Sequence, residues 1–245
     1  MLTCATKALY YARYTGSGSQ LGSLAAVKVA LVLLVSLLLT APAAGAGAAG
    51  KAPAFHGRVE RIDAATRARM SGVSWRPGCP VGFAELRLLK VSHWGFDGEV
   101  HRGRLVVNRD AAQGMLGVMR SLYRQRFPIR QMRLVDAYGA DDRRSMAADN
   151  TSAFNCRFVA GQPGVWSEHA FGRAIDVNPI ENPYVTDSGY ASPPAGARYA
   201  RRSRHRKGMI HRDGAVVAAF AAIGWEWAGD WAWPKDYQHF SATGS

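Results

Sequence analysis

Two pairs of histidine and aspartate residues are the strongest chemical signal in this sequence. His169 and Asp176 lie seven residues apart, and Asp236 and His239, three residues apart, follow about sixty residues later. Two imidazoles and one carboxylate make a three-ligand zinc site with an open fourth position, which is typical of catalytic zinc. The remaining carboxylate is then available as a general base. Together the four residues predict a hydrolytic metal site.

The spacing of Asp236 and His239 suggests different roles for the two residues. Side chains alternate along a regular strand, so residues three apart point to opposite faces, and Pro234 argues against an undisturbed strand here. We therefore expect Asp236 on a turn that leads into a short strand carrying His239. His239 then binds the metal while Asp236 approaches the reacting water. In the alternative, Asp236 holds the N–H of a ligand imidazole.

The first 46 residues resemble a secretory signal. Three basic residues precede an apolar run over residues 29–39, and small residues follow it. The run is shorter than the roughly 20 residues that a membrane span needs. We expect cleavage near Ala44 or Ala46; an uncleaved membrane anchor is the alternative. The predicted organisation is a signal peptide over residues 1–46, a linker and helix over 47–71, and one catalytic domain over 72–245.

Charge and cysteine content indicate an exported protein that meets polyanions. The chain carries a net charge of +13 and retains +10 once the three charges of the signal are removed. Such a protein is attracted to anionic cell-wall polymers or to a lipid surface. Zinc-finger, RNP-like and helix-turn-helix patterns are not found, so nucleic acid is not a predicted partner. Cys79 and Cys156 remain in the mature chain and predict a disulfide, with two free buried thiols as the alternative.

The hydrophobic patterns predict a single α+β domain after the signal. An Asp-Gly turn between residues 85–94 and 104–108 indicates a hairpin, and residues 110–126 read as a helix with Asp110 as its N-cap. Residues 174–177 read as a strand. Further predicted elements are helices over residues 59–70 and 216–223, a strand over 132–135, and loops over 139–155 and 186–208. The last loop is rich in arginine, and either solvation or polymer binding accounts for that.

The segment 167–176, Ser-Glu-His-Ala-Phe-Gly-Arg-Ala-Ile-Asp, together with Asp-Tyr-Gln-His over 236–239, resembles the signature of the VanY/VanX-type D-alanyl-D-alanine metallopeptidases. The same pattern occurs in phage endolysins that cleave peptides, and the Hedgehog signalling domain has a similar zinc fold. The resemblance implies a Hedgehog-like fold with a small central antiparallel sheet and flanking helices. It extends over residues 72–240.

The resemblance also implies roles for individual residues. It implies zinc bound by His169, Asp176 and His239, with Asp236 as the general base. Arg157 matches an arginine that stabilises the tetrahedral oxyanion, as expected of a fixed guanidinium, although an ordinary surface cation is the alternative. Ser167 matches a serine that hydrogen-bonds the substrate backbone. In the alternative, the serine caps local structure.

The expected function is a secreted zinc metallopeptidase acting on peptidoglycan stem peptides, with D-alanyl-D-alanine carboxypeptidase activity. The best-known D,D-dipeptidases have glutamate as the base, whereas aspartate is found among the endopeptidases. An endopeptidase that cuts an L-Ala–D-Glu or cross-bridge bond is therefore the alternative enzyme. A non-catalytic zinc module that binds the cell wall is the alternative from another class, and an intact Asp236 argues against it.

Overall fold

Residues 53–245 are described by a computed structural model of the protein. The predicted signal over residues 1–46 and the start of the predicted linker lie outside this range. All of these residues belong to one structural unit. None of their helices combines the length and the hydropathy needed to cross a membrane.

The first sheet is a three-stranded antiparallel meander that contains the predicted hairpin. Its strands, in spatial order, are β1 (Gly57–Arg61), β2 (Leu86–Trp94) and β3 (Val100–Asn108). The prediction of a helix from residue 59 is wrong, because residues 57–61 pair with β2 instead. Helix α1 (Ala64–Met70) begins only after Asp63, whose side chain accepts a hydrogen bond from the amide of Thr66.

Helix α2 (Ala112–Arg124) covers one face of this sheet. Its apolar stripe of Met115, Val118, Met119 and Leu122 is buried, as the helical spacing predicts. The predicted cap, Asp110, does not cap the helix. The residue that directly precedes the helix is Ala111, whose backbone angles are already helical. The carboxylate of Asp110 instead forms an ion pair with Arg173.

A second antiparallel sheet carries two of the predicted metal ligands. Its strands, in spatial order, are β6 (Ala174–Asp176), β11 (His239–Ser241) and β9 (Glu226–Trp227). Asp176 lies directly opposite His239 in the register of β6 and β11. The sheet shares one hydrophobic core with β2, β3 and α2, and helix α5 (Ala215–Ala221) adds Phe220, whose ring stacks 3.9 Å from that of Phe240.

A third antiparallel sheet consists of very short strands. Its order is β10 (Lys235–Asp236), β7 (Tyr184–Val185) and β8 (Ala191–Ser192). Further elements are the parallel pair β4 (Gln131–Met132) and β5 (Asn150–Thr151), with helices α3 (Asp142–Ala147) and α4 (Glu168–Phe171). Short 3₁₀ helices lie at Phe83–Glu85, Val135–Tyr138, Pro194–Tyr199 and Ala228–Asp230. The expected mixture of helices with antiparallel sheets is confirmed, but several small sheets stand where one central sheet was expected. The predicted loop over residues 139–155 contains α3 and β5.

Candidate metal centre

Three side chains from two distant segments converge on one point. The Nε2 atom of His169 lies 3.3 Å from the Nδ1 atom of His239. The two carboxylate oxygens of Asp176 lie 3.2 Å from His169 Nε2 and 3.1 Å from His239 Nδ1. All three residues are buried, and their ligand-type atoms form the candidate metal cluster of the described residues.

The outward-facing nitrogen of each imidazole contacts a main-chain oxygen. His169 Nδ1 lies 2.5 Å from the oxygen of Ala153, and His239 Nε2 lies 3.2 Å from the oxygen of Ser245. A carbonyl oxygen only accepts hydrogen bonds, so each of these nitrogens carries the hydrogen and donates it. In the neutral rings, both inward-facing nitrogens therefore present lone pairs to each other and to Asp176.

This arrangement fits a bound cation. Two lone pairs and a carboxylate at such short distances repel one another unless positive charge lies between them. Ligand atoms at 2.0–2.1 Å from zinc in a tetrahedron are roughly 3.4 Å apart, close to the separations found here. Main-chain oxygens that hold the outer N–H groups are the usual partners of metal-binding histidines. The residues present therefore fit a zinc ion.

A single helical turn and the glycine that ends it position His169 and Asp176. Ser167 caps the single turn of α4, because its hydroxyl accepts a hydrogen bond from the amide of His169 at 3.4 Å. Gly172 ends the turn with a φ of +69°. A Cβ at Gly172 would lie 2.6 Å from the main-chain nitrogen of Asn108, so glycine is required for the chain to pass β3 and enter β6.

Asp236 and His239 lie on two different strands. His239 begins β11, as predicted, but Asp236 belongs to β10 rather than to a turn, because β10 pairs with β7. The intervening residues, Tyr237 and Gln238, carry the chain from one sheet to the next. Despite this change of sheet, Asp236 lies close enough to Asp176 and His239 for their charges to act on its pKa.

The surroundings of the centre shift the pKa values of its two carboxylates in opposite directions. Burial, and next the negative charge of Asp176, raise the pKa of Asp236 to about 6. Burial also acts to raise the pKa of Asp176, but the imidazoles, His169 foremost, outweigh it and hold that pKa below its ordinary value. The Oδ1 atom of Asp236 is buried without a hydrogen-bond partner among residues 53–245. Asp176 is thus the permanent anion, and Asp236 is the carboxylate able to exchange a proton near neutral pH.

Arg157 lies beside the segment that carries His169. The amide of Ser167 donates to the main-chain oxygen of Arg157 at 3.1 Å, and the amide of Asn155 donates to that of His169. The guanidinium forms an ion pair with Asp142 at 2.9 Å, and its buried Nε has no partner in the described part of the chain. Among residues 53–245, the guanidinium makes polar contacts with Asp142 and with the main-chain oxygen of Phe158, and not with the candidate metal ligands.

The predicted disulfide between Cys79 and Cys156 is confirmed. Cys156 directly precedes Arg157, and its main chain is held further by Ser74 and by the guanidinium of Arg76. The bond therefore fixes the irregular segment from which the Arg157 side chain extends.

The sequence model of a family described as D-alanyl-D-alanine carboxypeptidase matches residues 160–242. That segment is similar to this family. The match covers about a third of the chain and contains His169, Asp176, Asp236 and His239, whereas Arg157 lies outside it. Comparisons with curated proteins and with solved structures give no match.

Sequence reasoning missed Tyr184, which lies directly opposite Asp236 in the pairing of β7 with β10. Burial, and next the charge of Asp236, raise the pKa of the Tyr184 hydroxyl, which therefore stays protonated as a donor. The main-chain oxygens of Ala153 and Ser245 were also missed. A two-residue strand has no readable periodicity, and a main-chain oxygen leaves no mark in a sequence, so no signal pointed to these groups.

Proposed function

We propose that the protein is a zinc metallopeptidase that hydrolyses peptidoglycan stem peptides and removes a terminal D-alanine as a D-alanyl-D-alanine carboxypeptidase. The observation that carries the proposal is the convergence of His169, Asp176 and His239, with the buried carboxylate of Asp236 close enough to feel their charges. The family similarity of residues 160–242 supports the choice of substrate.

His169, Asp176 and His239 are the proposed zinc ligands. When bound, zinc supplies Lewis-acid chemistry: it acidifies water towards neutral pH and polarises a carbonyl group. The protein's own part is to fix the ligand geometry. The oxygens of Ala153 and Ser245 hold the imidazoles in the required tautomer, and the pairing of β6 with β11 holds Asp176 opposite His239.

Asp236 is the proposed general base. With its pKa raised to about 6, its carboxylate is mostly ionised at pH 7 yet basic enough to take a proton from the attacking water. The same oxygen then returns the proton to the leaving amine. Its unpartnered, buried Oδ1 makes no other hydrogen bond within residues 53–245 that would compete for this task.

Arg157 is the second proposed catalytic residue, and Ser167 is the proposed substrate-binding residue. Arg157 supplies positive charge to the scissile carbonyl oxygen as negative charge develops there, and Asp142 holds its guanidinium in one orientation. The hydroxyl of Ser167 faces the amide of His169 in its capping role and still has a hydrogen to donate to a peptide carbonyl.

We place the mature protein outside the cytoplasm, associated with the cell wall. The signal-like pattern in residues 1–46 supports export, and the disulfide supports an oxidising compartment.

Purified protein incubated with defined stem peptides ending in D-alanyl-D-alanine tests the proposal. We expect a mass loss of one alanine, which a chelator abolishes and added zinc restores. Asp236→Ala serves as the matched control, because it removes the base and leaves the proposed ligands intact.

Other results would point elsewhere. Release of a longer peptide would identify an endopeptidase that cuts an L-Ala–D-Glu or cross-bridge bond. Zinc loading without hydrolysis of any muropeptide would contradict the enzyme assignment and favour a wall-binding module.

A further inference from the structure

A cluster of exposed positive charge lies on one segment that the catalytic proposal does not use. Residues 198–207, here called the basic loop, carry five exposed cations in ten positions. These are Arg198, Arg201, Arg204, Arg206 and Lys207. The segment contains no aspartate or glutamate, so its charge is of one sign.

The basic loop is fastened to the protein by its sixth cation, Arg202. The guanidinium donates to the main-chain oxygens of Glu181 and Tyr199 at 2.9 and 3.2 Å, to Asn182 Oδ1 at 3.0 Å, and to the oxygen of Ile210. Burial lowers the pKa of Arg202 to about 10, which leaves it charged at neutral pH. The five exposed cations are therefore presented from an anchored segment.

This anchor joins the basic loop to the chain segment that carries Asp236. The Arg202 guanidinium lies 4.4 Å above the ring of Tyr237, the residue that follows Asp236. A second fastening is the ammonium of Lys207, which donates to the oxygen of Phe96 at 2.7 Å.

The charge of the basic loop is not neutralised by the protein itself. None of the five exposed cations forms an ion pair within residues 53–245. Residues 1–52 contain no acidic side chain, so they offer no carboxylate either. Cations without ion-pair partners on an anchored segment favour binding of a polyanion, because the segment loses little conformational entropy on binding.

We propose that the basic loop binds a cell-wall polymer of phosphodiester-linked units and so retains the enzyme on its substrate. This inference rests on the proposed function, which places the protein at the cell wall. Four of the five exposed cations are arginines, whose planar guanidinium groups match phosphate oxygens in pairs.

Two other polyanions fit the loop less well. An interfacial lipid site needs exposed apolar side chains among the cations, and the large exposed apolar residues of the described chain lie elsewhere. Single-stranded nucleic acid needs free exposed rings for stacking, whereas Tyr199 is buried and the ring of His205 is already stacked on that of His211.

Sedimentation of the protein with purified walls tests the inference. The test variant combines Arg201→Gln, Arg204→Gln and Arg206→Gln. The matched control removes the same charge from exposed arginines of β1 and β3 by Arg61→Gln, Arg102→Gln and Arg104→Gln. We expect the test variant to bind walls at least about tenfold more weakly at low salt, and the control to bind like the wild type. Thermal melting checks that both variants are folded.

The walls themselves supply the second arm of the experiment. Walls stripped of their phosphodiester polymer should lose the wild-type binding, and high salt should weaken binding to intact walls. Equal weakening in both variants, or undiminished binding to stripped walls, would contradict the inference. So would equally tight binding to vesicles of phosphatidylglycerol. Sedimentation requires no turnover, so failure to hydrolyse any stem peptide would contradict the proposed function without affecting this result.

Discussion

Four side chains divide the proposed chemistry between binding a metal and moving a proton. His169, Asp176 and His239 face one another at about hydrogen-bond distance. Asp236 lies on another strand, close enough for the charge of Asp176 to raise its pKa. Removing a ligand and removing the base should therefore have different consequences.

We expect Asp236→Ala to retain zinc and to lose turnover by roughly 10²–10⁴-fold, the usual contribution of a general base. His239→Ala should lose both zinc and turnover, because it leaves two ligands. Metal analysis of the dialysed proteins and initial rates on a stem peptide measure the two effects. Retained hydrolysis in Asp236→Ala would overturn its role as base, and loss of zinc there would make it a ligand.

Glu181 offers a test that is independent of the metal centre. Burial, and next the neighbouring Asp149, raise its pKa to about 8, and its Oε2 has no partner among the described residues. In the folded state this carboxyl stays protonated up to about pH 8, whereas in the unfolded chain it ionises near pH 4.5. Raising the pH between these values therefore favours unfolding.

We expect Glu181→Gln to remove much of that pH dependence, because the amide stays neutral throughout. At pH 8 the variant should be more stable than the wild type by roughly 4 kcal/mol, and at pH 5 by less than about 1 kcal/mol. Urea unfolding at both pH values measures this, and Glu99→Gln, an exposed site, is the control. Parallel stability curves for wild type and Glu181→Gln would show that the raised pKa is wrong.

At the scale of elements, the site depends on strands too short to be recognised in the sequence. The sequence predicted the hairpin of β2 and β3 and the apolar stripe of α2. These elements are nine to thirteen residues long, which is enough for their composition and hydrophobic spacing to identify them. It did not predict β7 and β10, which are two residues each and form only because distant segments meet.

The candidate ligands were predictable where the strands were not. The residue types and spacing of His169, Asp176 and His239 carry their chemistry directly, and the structure brings these three together. The partner of Arg157 was not predictable, since Asp142 lies on a helix inside a segment that composition assigned to a loop. Likewise, Ser167 suits both roles considered from the sequence, and the structure demonstrates its capping.

The disulfide joins two elements that are 77 residues apart in sequence. Closing a loop of that length restricts the unfolded chain and stabilises the fold by about 4 kcal/mol in the chain-entropy model. We expect reductant to lower the urea midpoint of the wild type accordingly. The double variant Cys79→Ser and Cys156→Ser should match the reduced protein and be insensitive to reductant. A wild-type midpoint that reductant leaves unchanged would contradict this estimate.

At the scale of the whole molecule, metal binding and folding are coupled. The ligands come from β6, β11 and the single turn of α4, so the site exists only when these elements are assembled. Zinc at about 100 times its dissociation constant should stabilise the folded state by roughly 2.7 kcal/mol.

For a domain of this size, that stabilisation corresponds to a rise in melting temperature of about 5–10 °C. A chelator should reverse the rise, and His239→Ala should not show it. Magnesium serves as the control ion, because it prefers oxygen ligands to imidazole. Equal shifts with zinc in wild type and His239→Ala would place the binding elsewhere.

The larger of the two hydrophobic clusters within residues 53–245 has a practical consequence for anyone who trims this protein. A fragment cut to residues 160–242 would keep every proposed ligand and the base, yet it would leave behind β2, β3 and α2, against which Ile175 and Phe240 are packed. With that half missing, the apolar undersides of β6 and β11 would face water, and such fragments tend to associate into inclusion bodies. The smallest useful piece of this molecule is therefore set by what lies beneath the ligands rather than by the ligands themselves.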